Sequence, residues 1–300
     1  MTTLELAEPR FLRARRFAAR ARPLAANRAT FAAILVLALL AVFCVGWPFV
    51  SGHDPNDVVF AQSDQGPSLE HPLGTDRFGR DLMTRLAIGG RTTLLIAVLA
   101  LLVVLLVGVV YGTIAGLAGG AADSVMMRIV DGLFALPRLP IAIVILVVLS
   151  ADASTVPGVV LALSVVGWML TARLVRGEVV ALKARNFVFA ARALGASPTN
   201  VARRHIVPNA AGIVFIAVFL ELPTIVLGEA FLSVLGLGPP PPTATWGNMA
   251  EQGLHFFRVW EMAVPSAAIA IFVLAANVIA DGLHDALDPR RAAQVRRRRA

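Results

Sequence analysis

Blocks of uninterrupted apolar sequence constrain this chain more than any other feature. A helix needs roughly 20 mostly apolar residues to cross a bilayer, where no water can satisfy an open backbone. The cleanest block covers 29–50 and carries no charge from Thr30 to Val50. A second, 92–118, is also uncharged. A third, 126–149, is weaker at its start, where Arg128, Asp131 and Arg138 interrupt it. The fourth covers 156–172, the fifth 210–237 with Glu221 and Glu229 inside it, and the sixth 262–280. Charged residues make up only 15% of the chain, against about a quarter in a soluble domain. The expected fold is therefore all-α and integral to the membrane, with six spans.

Charge between the blocks orients them. The first 28 residues hold seven arginines, and the tail holds Arg290, Arg291 and the run Arg296 to Arg299. Residues 173–205 carry six arginines and Lys183 against one acid, Glu178. Residues 51–88 instead carry six acids and three arginines. Short basic segments stay in the cytoplasm, which puts both termini and the 173–205 loop inside. An even number of spans agrees with that assignment, so a bacterial inner-membrane protein with two cytoplasmic ends is expected. The first block is too long for a signal-peptide core and no small-residue cleavage site follows it, so it reads as an uncleaved anchor.

Several other classes are excluded or weakened. Cys44 is the single cysteine, which rules out an intramolecular disulfide or a cysteine-cluster metal site. The histidines, His53, His71, His205, His255 and His284, are far apart in sequence, each reads as a lone structural or surface residue, and no metal site is expected. Lys183, flanked by Leu182 and Ala184, is the only lysine, so a Gly-Lys-Ser/Thr phosphate loop cannot form and no catalytic residue is expected. A basic pI near 11.3 reflects membrane-flanking segments, which fit anionic lipid and a cytoplasmic partner better than nucleic acid. The 10–22 stretch is read either as a short helix on the membrane or as an unstructured basic tail.

The loops carry more specific signals. In 51–88, Gly74-Thr75-Asp76 reads as a turn and Asp81 as the cap of a short helix 82–88, which Gly89-Gly90 would break before the second span. In the basic loop, 183–194 reads as a helix stopped by Gly195 in a left-handed conformation. Ser197 is then an N-cap with Pro198 in the first helical position, and the helix through 201–205 ends at Pro208. A loop of helix, glycine elbow and helix is organised enough to be a docking element.

Four strings resemble one family. His71-Pro72-Leu73-Gly74-Thr75-Asp76-Arg77-Phe78-Gly79-Arg80-Asp81 is similar to the N-terminal signature of the C-type permease subunits of dipeptide and oligopeptide importers, within the type I ABC import family. Ala190-Ala191-Arg192-Ala193-Leu194-Gly195, followed by His205-Ile206-Val207-Pro208-Asn209, resembles the EAA loop of ABC importer permeases. There Phe189 replaces the Glu, His205 the Ile and Val207 the Leu of the family pattern. Glu229 to Gly238 with Trp246-Gly247, and Asp281 to Arg290, are similar to later signatures of the same branch.

The resemblance implies an anchor helix plus a five-helix permease core. The expected organisation is a basic tail 1–28, an anchor 29–50, an extracytoplasmic segment 51–89, a permease domain 90–282 with a coupling loop 173–208, and a basic tail 283–300. It implies a second homologous permease subunit, two ABC ATPase subunits or one fused ATPase that bind ATP and Mg, and an extracytoplasmic substrate-binding protein. Ala190, Ala191, Arg192, Gly195, Ser197, His205 and Pro208 are the implied contacts to the ATPase. Glu221 and Glu229, about two turns apart on one face, are read as translocation-path or intramembrane polar contacts. Two alternatives stand beside peptide import: an ion-gradient transporter built on those two acids, and a same-family importer of another solute such as a nickel chelate.

Overall fold

A computed structural model of the chain describes residues 27–148 and 155–287. The two basic tails, apart from residues 27–28 and 283–287, and the end of the third apolar block lie outside the described residues. The order of helices is α1 (Arg28–Gly46), α2 (Leu82–Ala118), α3 (Gly120–Phe134), α4 (Arg138–Val148), α5 (Val156–Lys183), α6 (Asn186–Ala193), α7 (Pro198–Val201), α8 (Val207–Val234), α9 (Trp246–His255) and α10 (Val259–Leu287). Helix α1 with its following turn, and helices α2, α5, α8 (entered through α7) and α10, are long and apolar enough to span a membrane. The third expected span is a bent pair, because α3 and α4 meet at 84°. Pro137 accounts for the break: it has no N–H to donate and disfavours helix at Leu136, so the helix closes at Phe134.

Helices α2 and α5 form the centre. Gly108, Gly112 and Gly116 recur every four residues along α2 and face α5. A Cβ at Gly108 would stand 2.7 Å from the Thr171 Cβ, one at Gly112 would strike the Ala172 carbonyl, and one at Gly116 would stand 2.7 Å from Val179 Cγ1. Gly167 on α5 returns the contact by admitting Val104 Cγ2, 2.6 Å from where its Cβ would be. Lipid tails are as apolar as leucine, so helices associate in a bilayer through such close packing. Leu102, Leu106 and Val110, on the opposite face of α2, remain exposed.

Three sequence expectations are corrected. Helix α2 runs unbroken for 37 residues through Gly89-Gly90. These glycines serve as approach points: a Cβ on Gly89 would lie 3.1 Å from Met249 Sδ, and one on Gly90 would lie 2.8 Å from Trp246 Cζ2 and against Cys44 Sγ. Helix α5 continues to Lys183, eleven residues beyond the expected end at 172. Its extension stays helical because it is braced, with Arg176 donating to Asp123 at 3.0 and 2.5 Å and Lys183 donating to the Gly116 and Leu117 carbonyls at 2.9 Å each. Pro208 also fails to end a helix. A π-turn over Ala202–Ile206, closed by Val207 N–H donating to the Ala202 carbonyl, widens the backbone just before it, and Pro208 enters the first turn of α8.

The glycine seam makes a direct prediction. Gly112→Leu drives a side chain into the α5 backbone, an overpacking cost of about 1–3 kcal/mol. Its melting temperature in detergent, read by tryptophan fluorescence, falls below wild type while membrane insertion persists. Gly177→Ala, where an added Cβ meets nothing within 4 Å, melts as wild type does. Equal melting of the two variants refutes the seam.

Candidate functional site

The basic loop folds as a docked unit. At the end of α6, Gly195 sits at φ +81°, its N–H donates to the Arg192 carbonyl at 2.9 Å, and Ala196 N–H reaches back to the Ala191 carbonyl at 3.0 Å. This is the paired closure of a Schellman stop, and it fits the glycine expected there. Ser197 Oγ accepts from Asn200 N–H at 3.3 Å with Pro198 in the first turn. Val188, Val201 and Ile206 are buried against Val175, Val179 and Leu182, so the elbow has its own small core on the C-terminal end of α5. Outward it presents Phe187, Phe189, Ala190, Arg192 and Leu194, the last 88% exposed. Ala191 is half-buried and packs toward that core, so Ala190 and Ala193 are the small residues of α6 left exposed. His205 packs its ring 6.2 Å from that of Phe187, and Pro208 stands exposed at the start of α8.

The two membrane acids have separate surroundings. Glu229 is fully buried and accepts from Ser233 Oγ at 2.8 Å and from Thr93 Oγ1 at 3.4 Å. Thr93 Oγ1 also accepts from Trp246 N–H at 3.0 Å, while the Trp246 indole N–H donates to the Leu86 carbonyl at 2.9 Å. Glu229 therefore ties α2, α8 and α9 together. Glu221, about 12 Å away along the helix, meets Arg138 Nη1 at 3.4 Å, and its other oxygen is buried with no hydrogen-bond partner among the described residues. Arg138 and Glu221 line a cleft of about 630 Å³ at the α3–α4 break, walled by Leu163, Val166, Ile225 and Phe231. In the sequence Arg138 reads only as an interruption of a span. An arginine at that depth, close to two prolines, is the signal that could have marked it.

At the opposite end, the 71–81 string forms a buried knot. Asp76 accepts from Arg80 Nε at 2.6 Å and from the Phe78 and Arg80 amides at 2.8 and 3.0 Å. Asp81 caps α2 by accepting from Thr84 N–H at 2.7 Å, as its position suggests. Arg80 reaches Gln252 on α9 at 3.1 Å, and the Trp260 indole on α10 donates to the Leu73 carbonyl at 2.8 Å. Arg258, in the turn between α9 and α10, pairs with Asp64 ahead of that string at 2.8 Å. His53 and His71, expected as lone residues, stack with ring centroids 4.9 Å apart.

Known proteins with this pattern are transport components. The family described as "Binding-protein-dependent transport system inner membrane component" matches residues 108–293. The chain is 39% identical over 266 residues to the oligopeptide transport system permease protein OppC of Bacillus subtilis (strain 168), covering 88% of this chain and 86% of that protein. It is 38% identical over 272 residues to the dipeptide transport system permease protein DppC of the same organism, covering 90% and 84%. OppC of Escherichia coli (strain K12) is 38% identical over 268 residues, 88% of each chain. A solved chain of the MetNI methionine ABC transporter in inward-facing conformations superposes with a TM-score of 0.58 at 18% identity, covering 69% of this chain and 98% of that one. That likeness shows a shared helical fold. By the extent of the family match and of these relatives, the chain belongs to the family of inner-membrane components of binding-protein-dependent transport systems.

Proposed function

We propose that this chain is one of two permease subunits in an ATP-driven importer of di- or oligopeptides. The near-full-length identity to oligopeptide and dipeptide permeases carries this reading. In it, ATP and Mg are held by partner ATPase subunits, because the lone lysine of this chain cannot supply a phosphate loop. An extracytoplasmic binding protein delivers the solute, and a second permease completes the path. The α6–α7 elbow is the surface on which the ATPase acts. Its own core joins it to α5, so a change of pose in the ATPase is passed to the α2–α5 pair as motion of a rigid body. Coupling needs only that the ATP-bound and ATP-free partners bind the elbow differently.

The cleft at Arg138 and Glu221 is the half-path this subunit contributes. Its walls are apolar apart from that charge pair and Thr224, so a peptide passing there meets a cation and an anion that can face its two ends. Glu229 stays out of the path, since both its oxygens are engaged by hydroxyls in a closed helix junction. Glu221, the one of the two acids that faces the cleft, is paired with Arg138, and with Glu229 closed off this arrangement favours ATP-driven import over an ion-coupled carrier built on both acids.

Four outcomes follow for the chain expressed with its partners in cells lacking their own peptide permeases. Gly195→Val places a β-branched residue at positive φ, and Ala190→Trp puts a bulky ring on the open face of the elbow. Each lowers labelled-peptide uptake about tenfold or more, the effect of losing about 1.4 kcal/mol of docking, at wild-type membrane abundance. Normal uptake by both removes the elbow from the mechanism. Glu229→Gln keeps uptake within about twofold, because an amide oxygen still accepts from a hydroxyl; uptake that is abolished and follows a proton gradient without ATP establishes the ion-coupled carrier instead. The exchange Arg138→Glu with Glu221→Arg keeps a pair but reverses its polarity, and it loses uptake if the pair orients solute; retained uptake makes the pair structural. Reporters after Arg290 and near Arg185 read cytoplasmic and those near Gln65 and Thr243 read external, whereas a cytoplasmic signal at Gln65 overturns the orientation.

A further inference from the structure

We propose that His53, Glu70 and His71 form a binding site for one divalent transition-metal ion, zinc by chemistry, in the loop that joins α1 to α2. The inference rests on the geometry of this loop and does not depend on the transported solute.

His71 is the anchor. It is 3% exposed, and its Nδ1 lies 3.0 Å from Asp81 Oδ1. Asp81 is an acceptor there, with its other oxygen taken by the Thr84 amide. The proton of the imidazole therefore resides on Nδ1, and Nε2 carries the lone pair. That Nε2 is buried and has no hydrogen-bond partner among the described residues. A buried acceptor left without a donor costs about 1–3 kcal/mol, so such an atom needs a reason to persist. A carboxylate that fixes one imidazole nitrogen so that the other can bind a metal is the usual support of a histidine ligand.

Two further donors converge on the same point. The His53 ring stacks on His71 at 4.9 Å and 41°, and the ligand atoms of His53, Glu70 and His71 all lie within 4.8 Å of one another. Tetrahedral ligands about 2.1 Å from an ion stand roughly 3.4 Å apart, so the triangle closes with shifts of about an ångström. The residues able to make those shifts are the outer two. His53 is half-buried and follows Gly52 at φ +68°, and Glu70 is exposed. His71 does not need to move. Its turn is already closed by its own amide donating to Ser68 Oγ at 3.0 Å and by Ser68 N–H donating to its carbonyl at 2.8 Å. Two imidazoles and one carboxylate suit zinc and its first-row neighbours, whereas magnesium and calcium take oxygen donors. Three protein ligands leave a fourth position for water. An ion here would join the segment leaving α1 to the capping aspartate of α2, bracing a loop otherwise held by hydrogen bonds and ion pairs.

The test uses the full-length chain purified without a histidine tag, placed in lipid nanodiscs and stripped with a chelator. Zinc is titrated in competition with a chromophoric chelator, and cobalt(II) is added separately to read the visible bands of a tetrahedral site. Wild type is expected to bind one equivalent of zinc, with His53→Ala and Glu70→Gln each weakening it at least tenfold and removing the cobalt bands. Both side chains are at least partly exposed, so neither change threatens folding. His284→Ala, on α10, serves as the control and binds as wild type does. The proposal is overturned if wild type takes up no more zinc than His53→Ala, or if the cobalt bands survive both changes. Either result would leave the two histidines as a stacked pair only.

Discussion

The backbone-to-backbone approach of α2 and α5 is the contact on which the rest of this structure depends. In a bilayer the helices gain nothing from leaving water, so they must win by dispersion and by fit. Three glycines at a spacing of four supply that fit, since each removes a Cβ that would stand 2.7 Å or less from α5. The pair is longer than a bilayer needs, at 37 and 28 residues, and that length lets it work at both ends. At one end Lys183 closes the last carbonyls of α2, and the α6–α7 elbow packs on Val175, Val179 and Leu182. At the other, Asp81 starts α2 inside the 71–81 knot.

The polar groups at depth divide by what they touch. Glu229, Thr93, Ser233 and Trp246 satisfy one another and lock three helices. Arg138 and Glu221 leave one buried oxygen unengaged and face a cleft. A closed network rigidifies, whereas an incompletely satisfied one in a cleft is where a solute can form a new contact. Proximity on one helix face therefore says little about shared function. The bend at Pro137 brings Arg138 to Glu221, and that bend opens the cleft beside them.

The segments at the end of the bundle away from the elbow show the same economy of contact. The loop before α2 is joined to α9, to α10 and to the turn between them by Arg80 with Gln252, Trp260 with the Leu73 carbonyl and Arg258 with Asp64. They form one surface on the end of the bundle away from the elbow. His53, Glu70 and His71 belong to it, and the buried Nε2 of His71 is its most unusual atom.

Much of this protein could be read from residues alone. Long uncharged blocks dictate membrane spans because hydrocarbon tolerates no open backbone. Asp81, Gly195 and Ser197 stand where helix ends demand an acceptor, a positive φ and a cap, and these are local rules that hold in any tertiary setting. What tertiary structure decided are the matters that depend on neighbours. Gly89-Gly90 reads as a break but is a seat for Trp246 and Met249, because a glycine that meets a packed partner recovers through contact what it loses in helix propensity. Pro208 reads as a stop but enters α8, because a π-turn before it makes room. Residues 173–182 read as loop but continue α5 as helix, braced by Asp123 on Arg176 and by Lys183 on the end of α2. His53 and His71 are eighteen residues apart in the chain, and only the folded loop turns two unremarkable histidines into a facing pair.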